Sequence, residues 1–426
     1  MSKAGSFVLH GAAAYSESKD RLITYESAYV VCEDGIARGV FREIPEKFRE
    51  FPVTELGEKL ILPGMVDLHV HAPQYAFHGT GFDLQLIDWL DRYTYPEEMK
   101  YKKKLYAERS YDLFVEDLYC GASTRAVIFA TRHVGATVRL MELLDETGLV
   151  TYVGKVNMDR NVPEGYCETT EESLLATEKW LARCEAKEFQ NTMPILTPRF
   201  TPTCTRALMD GLGKLSAEFG IPVQSHLSEN LGEIEWVKNL EPDSAYYGET
   251  YDRCGLFGTN GKTIMAHCVH SGDEEVRKMK ENGVFIAHCP QSNMNLMSGA
   301  APVRRYLDQG MRVGLGSDVA GGAETSMFTA MKDAVHVSKM RFALSHPEDT
   351  PLTLSEVFYM ATMGGGEFFG RVGSFMDGYE FDAVILDDTN IATLHRMNTE
   401  ERLERAVYCA DDRNIVSKYV RGKKLY

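Results

Sequence analysis

Residues 62–71, with the sequence LPGMVDLHVH, constrain the fold of this chain more than any other segment. The run is apolar, contains Pro63 and Gly64, and is short enough for a strand but too short for a free-standing helix. Side chains two apart on a strand share a face, so His69 and His71 project together. Such a pair suits two ligands of one metal ion. From this segment alone, two histidines that fall by chance near a strand end are the alternative.

Strand-like and helix-like segments alternate through most of the chain. The predicted strands are residues 62–71, 121–130, 149–159, 193–200, 221–229, 263–269, 284–290 and 312–318. The clearest predicted helices are residues 170–188, 203–219, 273–282 and 303–309, with two more at 324–342 and 354–369. Eight such units predict an α/β fold of the (β/α)8 TIM type. A chain of 426 residues accommodates such a barrel, of about 250 residues, together with additional segments.

Both ends of the chain have a β pattern. Residues 1–60 contain short strand-like runs, and further runs occupy residues 382–386, 405–409 and 415–421. The simplest architecture is a small composite, β-sandwich-like domain built from residues 1–60 and 377–426, attached to a barrel of residues 61–376. The aromatic-rich segment 72–96 lies between the first two barrel strands and is expected to be core packing, with one or two aromatic residues in a lid over a pocket as the alternative.

Side chains that can perform chemistry collect where the predicted barrel strands end. Five of the twelve histidines occupy such positions, together with an aspartate that ends the eighth strand: His69, His71, His226, His267, His288 and Asp318. The carboxyl ends of the strands form the face on which barrel enzymes place their active sites. Any one of these histidines alone is explained by a buried imidazole bonded to backbone. Together they predict a site for a metal such as Zn²⁺, with water in the open coordination position.

Charge and cysteine content narrow the possible partners. The net charge of −16 argues against nucleic-acid and membrane-surface binding, because both partners are anionic. Nine cysteines without a Cys-x-x-Cys pair indicate free thiols in a reducing compartment. No secretory signal or membrane-spanning apolar run of about 20 residues is evident, so a cytoplasmic protein is expected.

Longer patterns around the strand ends resemble a known family. The motifs are His69-x-His71, His226-x-x-Glu229, His267, His288-Cys289-Pro290 and Ser317-Asp318. They resemble the amidohydrolase superfamily in its deaminase branch, and the resemblance covers nearly the whole chain. Residues 63–75, 93–98, 154–159, 197–200 and 225–230 are similar to the guanine deaminases of that branch.

This resemblance implies a metal centre. One Zn²⁺ per chain would be held by His69, His71, His226 and Asp318. Dinuclear members of the superfamily need a modified lysine that ends the fourth strand, and residues 193–200 contain no lysine, which favours a single metal. Zinc lowers the pKa of bound water to about 7, so hydroxide could attack C2 of guanine at neutral pH. Asp318 would accept the proton of the attacking water.

The resemblance also implies a purine pocket. Glu229 would move protons to the ring nitrogen and the leaving amino group, and His267 would orient the nucleophile. The expected substrate-binding residues are Gln74, Arg199, Phe200, Glu229 and His267. From the residues alone, a salt bridge on a loop is the better explanation of Arg199. The implied reaction is hydrolysis of guanine to xanthine and ammonia by a homodimer.

Two other functions stay open. The substrate could be another amino-heterocycle, such as 8-oxoguanine, a pterin or a triazine, deaminated or dechlorinated at the same site. A catalytically inactive scaffold is the alternative from another functional class, and it is disfavoured because every candidate metal and proton-transfer position is filled. A zinc site of the cytidine-deaminase type is disfavoured because the chain has no Pro-Cys-x-x-Cys motif.

Overall fold

The structure is a computed structural model that describes residues 5–391 and 393–426. Its strands are β1 (Phe7–Ser18), β2 (Arg21–Glu33), β3 (Ile36–Phe41), β4 (Val53–Pro63), β5 (Met65–His71), β6 (Ser123–Phe129), β7 (Val150–Gly154), β8 (Val156–Asn157), β9 (Thr192–Pro194), β10 (Thr197–Pro198), β11 (Val223–Leu227), β12 (Thr263–His267), β13 (Phe285–His288), β14 (Arg312–Leu315), β15 (Ala383–Leu386), β16 (Ile415–Val420) and β17 (Lys423–Lys424).

Helices alternate with these strands through the middle of the chain. They are α1 (Leu86–Trp89), α2 (Tyr95–Glu98), α3 (Lys104–Cys120), α4 (Val134–Thr147), α5 (Thr170–Lys187), α6 (Arg206–Phe219), α7 (Leu231–Leu240), α8 (Glu249–Asp252), α9 (Asp273–Asn282), α10 (Pro290–Asn295), α11 (Val303–Asp308), α12 (Met327–Leu344), α13 (Leu354–Tyr359) and α14 (Thr399–Cys409). Among the described residues, no helix has both the length and the apolar character needed to cross a membrane.

Eight parallel strands close into a barrel, as the sequence predicts. They form two runs, β5-β6-β7-β9 and β11-β12-β13-β14. Leu196 bridges Val223 and so joins the first run to the second. The amide of Asp318 donates to the carbonyl of His69 at 2.8 Å and joins the last strand to the first. The TIM-type fold is confirmed, and the carboxyl ends of all eight strands meet on one face.

Strands from both ends of the chain form a second sheet beside the barrel. Its order is β17-β16-β15-β4-β1-β2-β3. The sheet curls so that the segment just before β15 approaches the edge strand β3: the amide of Phe381 donates to the carbonyl of Gly35 at 2.8 Å, and Ile36 bridges Glu380. Phe375 and Phe381 are fully buried in the core that its strands share. This gives the sandwich-like form expected for the flanking unit, while the domain boundaries at residues 60 and 377 stay a prediction.

The predicted strand at residues 405–409 is wrong, because these residues belong to helix α14. The Asn398 side chain accepts from the amide of Glu401, and the Glu401 side chain accepts from the amide of Asn398. This capping box satisfies amide groups at the start of the helix. Leu403, Ala406 and Val407 then share one buried face. Five residues are too few to distinguish a strand from the end of a helix, and the signal that identifies the helix is the capping residue seven positions upstream.

A buried lysine connects the flanking sheet to the barrel. The amino group of Lys418, on β16, donates to the carbonyls of Leu118 at 3.2 Å, Tyr119 at 2.6 Å and Ser123 at 3.0 Å. Two of these carbonyls belong to the last turn of α3, where a helix lacks internal donors. Burial lowers the pKa of Lys418 to about 7.

This lowered pKa gives a pH-dependent stability. Between about pH 7 and the ordinary lysine value of 10.5, the unfolded chain binds a proton at Lys418 that the folded chain does not. The free energy of unfolding should therefore rise with pH across this window, by up to about 1.4 kcal/mol per pH unit from this group. Denaturant unfolding of wild type and Lys418→Met should show this extra slope in the wild type only. Lys424→Met, at an exposed position, is the control, and equal slopes in all three proteins would contradict the assignment.

Candidate active site

Three imidazoles and a carboxylate converge at the carboxyl ends of the barrel strands. His69 and His71 end β5, His226 lies on β11, and Asp318 follows β14. The Nε2 atom of His71 lies 3.2 Å from Nε2 of His69 and 3.2 Å from Nε2 of His226. The Oδ1 atom of Asp318 lies 3.2 Å from Nε2 of His69 and 3.4 Å from Nε2 of His71. These four atoms therefore surround a space of the size that one metal ion occupies.

The chemistry of these donor atoms fits a cation. The Nδ1–H group of His226 donates to the carbonyl of Arg199 at 2.6 Å, so Nε2 carries a lone pair directed into the cluster. Burial lowers the pKa of His71 and of His226 well below the usual histidine value, which keeps both rings neutral. Burial opposes the charge of Asp318, but the nearby imidazoles, first that of His69, lower its pKa. Lone pairs and a carboxylate that face one another in this way suit a bound Zn²⁺.

Local backbone distortions direct these side chains into the barrel mouth. His267 has a φ of +73° and Asp318 a φ of +51°, both in the left-handed region that non-glycine residues seldom adopt. Such strained positions concentrate at functional sites. The buried carboxylate of Asp67 accepts from the amides of His69 at 3.1 Å and Ser317 at 3.0 Å, and so ties the segments before and after the cluster together.

A second pair of groups lies beside the cluster. The Oε2 atom of Glu229 is 3.4 Å from Nε2 of His267, and Oδ2 of Asp318 is 3.7 Å from the same nitrogen. The Nδ1–H group of His267 donates to Oδ1 of Asn293 at 2.9 Å, which fixes the ring with Nε2 toward Glu229 and Asp318. Burial, and then the charge of Asp318, raise the pKa of Glu229 well above its usual value. Glu229 can therefore hold a proton to donate.

A buried glutamate fixes the backbone of Glu229. The Oε2 atom of Glu233 accepts from the amides of Glu229 at 2.9 Å and Asn230 at 3.2 Å, and its Oε1 accepts from the hydroxyl of Tyr247 at 2.7 Å. Burial, with the nearby Glu229 carboxylate, raises the pKa of Glu233 to about 7. The bond to the Glu229 amide fixes the backbone position from which the Glu229 side chain extends.

These groups line one cavity at the mouth of the barrel. Its apolar wall consists of Leu86, Trp89, Leu90, Phe200 and Leu296. Three of these residues come from segment 72–96, so the lid interpretation is the one the structure supports for Trp89. The sequence did not point to Leu296, which lies just beyond α10.

A network of polar side chains closes one end of the cavity. The guanidinium Nη1 of Arg199 donates to both carboxylate oxygens of Glu98, at 3.0 and 2.8 Å. The Nε2 atom of Gln74 donates to Oε1 of Glu98 at 3.2 Å. Burial alone would lower the pKa of Arg199, but the charge of Glu98 raises it, and the net result lies above the usual arginine value. Arg199 therefore forms the salt bridge considered in the sequence analysis, and it lines the cavity as well.

Residues 60–425 match the amidohydrolase family. The chain belongs to the amidohydrolase family. It is 40% identical over 380 residues to the guanine deaminase of Dictyostelium discoideum, which covers 88% of this chain and 84% of that protein. The mouse guanine deaminase is 40% identical over 392 residues, covering 89% of this chain and 86% of that protein. A guanine deaminase of C. acetobutylicum, solved with guanine in its active site, has a TM-score of 0.96 and 44% identity, covering 99% of this chain and 100% of that chain.

Most of the predicted site residues of this amidohydrolase surround one cavity. Those that line it are His71, Gln74, Arg199, Phe200, His226, Glu229, His267 and Asp318. His69 lies behind His71, in contact with it through the two Nε2 atoms. His288, the fifth histidine at a strand end, lines a different cavity with Arg304 and Arg341. The structure therefore brings the predicted site residues together and leaves His288 apart from them, while their roles stay a prediction.

Proposed function

We propose that this amidohydrolase is a zinc-dependent deaminase that hydrolyses guanine to xanthine and ammonia. The observation that carries the proposal is the position of the candidate metal cluster in a small cavity closed at its far end by Arg199 and Gln74. The guanine deaminases of Dictyostelium discoideum and mouse match most of the chain, and a similar solved structure holds guanine in its active site.

The metal would be held by the four converging donors, His69, His71, His226 and Asp318. Zinc bound there would supply a water molecule whose pKa is lowered to about 7, and so a nucleophile at neutral pH. The second carboxylate oxygen of Asp318 would accept a proton from the attacking water. His267, fixed by Asn293, would orient that water from the side.

Proton transfer to the purine falls to Glu229. Its carboxyl lies beside His267 and Asp318, and its Oε1 accepts from the hydroxyl of Ser298 at 3.3 Å, which holds the side chain toward the cavity. Glu229 gives a proton to the ring nitrogen next to C2, and the proton that Asp318 takes from the water then passes through Glu229 to the departing amino group. The C2–N bond breaks and ammonia leaves, and the proton of the C2 hydroxyl returns to Glu229 as the carbonyl forms.

The purine is held between an apolar wall and a polar end. Phe200 and Trp89 contribute flat apolar surface to the cavity. Arg199 has only hydrogen-bond donors, and the C6 carbonyl of guanine is an acceptor. Adenine has an amino group at C6, which would place donor against donor. A buried polar group left unpaired in this way costs about 1–3 kcal/mol, so the site selects guanine.

The metal content tests the first part of the proposal. We expect about one zinc per chain by elemental analysis, because the two groups of possible ligands among the described residues share His69 and so form one cluster, and residues 193–200 contain no bridging lysine. Chelation should lower the thermal midpoint, since zinc binds the folded chain and not the unfolded one, and added zinc should restore it. Two metals per chain, or none in active protein, would contradict this part.

Ammonia release from a panel of substrates tests the choice of guanine. Metal-replete protein should show its highest kcat/KM on guanine and lower values on 8-oxoguanine, a pterin and an amino-triazine. A higher kcat/KM on any of the other three would reassign the substrate while keeping the reaction class.

Two further properties complete the proposal. We propose a homodimer on the basis of the family resemblance, and light scattering should then give twice the chain mass of 47.9 kDa. A monomeric mass at micromolar concentration would contradict the dimer.

We propose a cytoplasmic location because all nine cysteines are unpaired, as expected in a reducing compartment.

A further inference from the structure

Glu98, at the end of α2, is fully buried and lies immediately behind the purine end of the cavity. Its carboxylate accepts from Nη1 of Arg199 at 3.0 and 2.8 Å, from Nε2 of Gln74 at 3.2 Å, and from the hydroxyl of Tyr166 at 2.6 Å. Glu98 itself does not line the cavity, whereas Arg199 and Gln74 do. It therefore touches the two polar groups expected to contact the purine without contacting the purine itself.

The Glu98 carboxylate fixes which end of the Gln74 amide faces it. An ionised carboxylate only accepts hydrogen bonds, so the amide nitrogen and not the oxygen must point at Glu98. The amide oxygen of Gln74 accepts from the backbone amide of Ala320 at 3.3 Å, which supports the same orientation. The second N–H of the side-chain amide is then the group that Gln74 can offer to a ligand. A flipped amide would face the carboxylate with its oxygen and lose both bonds.

Glu98 also fixes Arg199 and balances its charge. Both carboxylate oxygens engage a single guanidinium nitrogen, Nη1, so this contact does not use Nη2. The Cζ atom of Arg199 lies 5.3 Å from the centroid of the Tyr95 ring, which holds the guanidinium plane from one side. Arg199 and Glu98 are each at most 2% exposed, so each charge depends on the other for its partner.

We propose that Glu98 is the residue that determines specificity at the C6 position of the purine. It acts by positioning Gln74 and Arg199 so that both present N–H donors, which pair with a 6-oxo group and meet a 6-amino group donor against donor. This inference rests on the proposed guanine deamination and adds to it the group that sets substrate choice. Tyr166 supports the same orientation by occupying the remaining acceptor position of Glu98.

Three purines that share the C2 amino group test this proposal. Guanine, 2,6-diaminopurine and 2-aminopurine carry an oxo group, an amino group and a hydrogen at C6, so the same bond is hydrolysed in each. The wild type should prefer guanine over 2,6-diaminopurine by at least about 100-fold in kcat/KM. In Glu98→Gln, the new amide can both donate and accept, so Gln74 can turn its oxygen to the cavity. We expect that preference to fall at least about tenfold, with a higher KM for guanine and a smaller change in kcat.

Two further variants keep the test decisive. Glu356→Gln also weakens a buried Glu–Arg pair, in which Arg304 donates at 2.6 and 2.7 Å, but lies outside the cavity and should leave the preference unchanged. Tyr166→Phe removes one bond to Glu98 and should shift the preference in the same direction by a smaller factor, which answers the question if Glu98→Gln does not fold. Zinc content and thermal midpoint are measured for each protein.

The outcomes separate this inference from the proposed function. If the wild type turns over guanine but Glu98→Gln and Tyr166→Phe lose activity equally on all three purines, or keep the wild-type preference, Glu98 has only a structural role. If metal-replete wild type does not turn over guanine, both the inference and the proposed function are overturned.

Discussion

The Glu229→Gln variant is expected to keep its fold and its metal and to lose at least about two orders of magnitude in kcat on guanine, the usual scale for general acid–base catalysis. Glutamine has the same size, and its amide nitrogen or oxygen can still meet the hydroxyl of Ser298, so the side chain should stay in place. An amide cannot take up and release a proton at neutral pH. The loss should therefore appear in kcat rather than in KM.

Steady-state kinetics with zinc content measured on the same sample would check this expectation. Glu356→Gln is again the matched control, because it is also a buried glutamate-to-glutamine change, located in α13 and away from the cavity. Near-normal turnover by Glu229→Gln with metal bound would show that another group carries the proton. His267 would then be the next candidate, since its Nε2 lies 3.4 Å from the Glu229 carboxyl.

The second large effect is expected at Arg199. Arg199→Ala should lower kcat/KM on guanine by roughly 2 kcal/mol or more, about 30-fold, because it removes a charge-assisted bond to the substrate. It should also lower the free energy of unfolding by about 3–5 kcal/mol, because the buried Glu98 carboxylate loses its cationic partner. Arg199→Lys should recover only part of both losses, since a lysine carries one nitrogen and cannot both bind Glu98 and present a second, planar N–H group to the purine.

Kinetics and denaturant unfolding separate these two contributions. In the double variant Arg199→Ala/Glu98→Gln, the unpaired buried charge is absent, so much of the stability should return while kcat/KM on guanine stays low. A single Arg199→Ala variant that is as efficient as the wild type on guanine would remove Arg199 from the purine-binding set.

Strand periodicity predicted the barrel and the location of its site, but not the direction of each histidine. On β5, Val66 and Leu68 fill the barrel interior, so strict alternation would turn His69 and His71 outward. A register shift between Asp67 and Val70 reverses this and brings both imidazoles into the mouth. A β-bulge of this kind re-aims side chains, and the sequence shows no clear sign of it.

His267 points into the site and His288 does not, and local backbone geometry again explains the difference. Ala266 on β12 and Ala287 on β13 face the interior, so the histidine that follows each should point outward. At His267 the φ of +73° turns the side chain back to the site. His288 has no such distortion and stays with the outward face, where it lines another cavity. Counting strand ends alone could not separate the two.

Contacts between distant parts of the chain were the other feature that the sequence did not reveal. Glu98 belongs to a motif that resembles the guanine deaminases, yet its partners Gln74 and Arg199 lie 24 and 101 residues away in the chain. An isolated glutamate at the end of a four-residue helix indicates nothing about these bonds. Glu233 is a capping residue of α7, and its carboxylate also accepts from the amide of Glu229. Only the closed barrel brings these groups together.

The products that metal-replete protein forms from guanine test the proposed deamination most directly. Xanthine, followed by its absorbance, and ammonia, followed by a coupled assay, should appear in equal amounts as guanine disappears, and adenine under the same conditions should give neither ammonia nor hypoxanthine. Absence of xanthine from guanine when about one zinc per chain is bound, or turnover of adenine as efficient as that of guanine, would contradict the account.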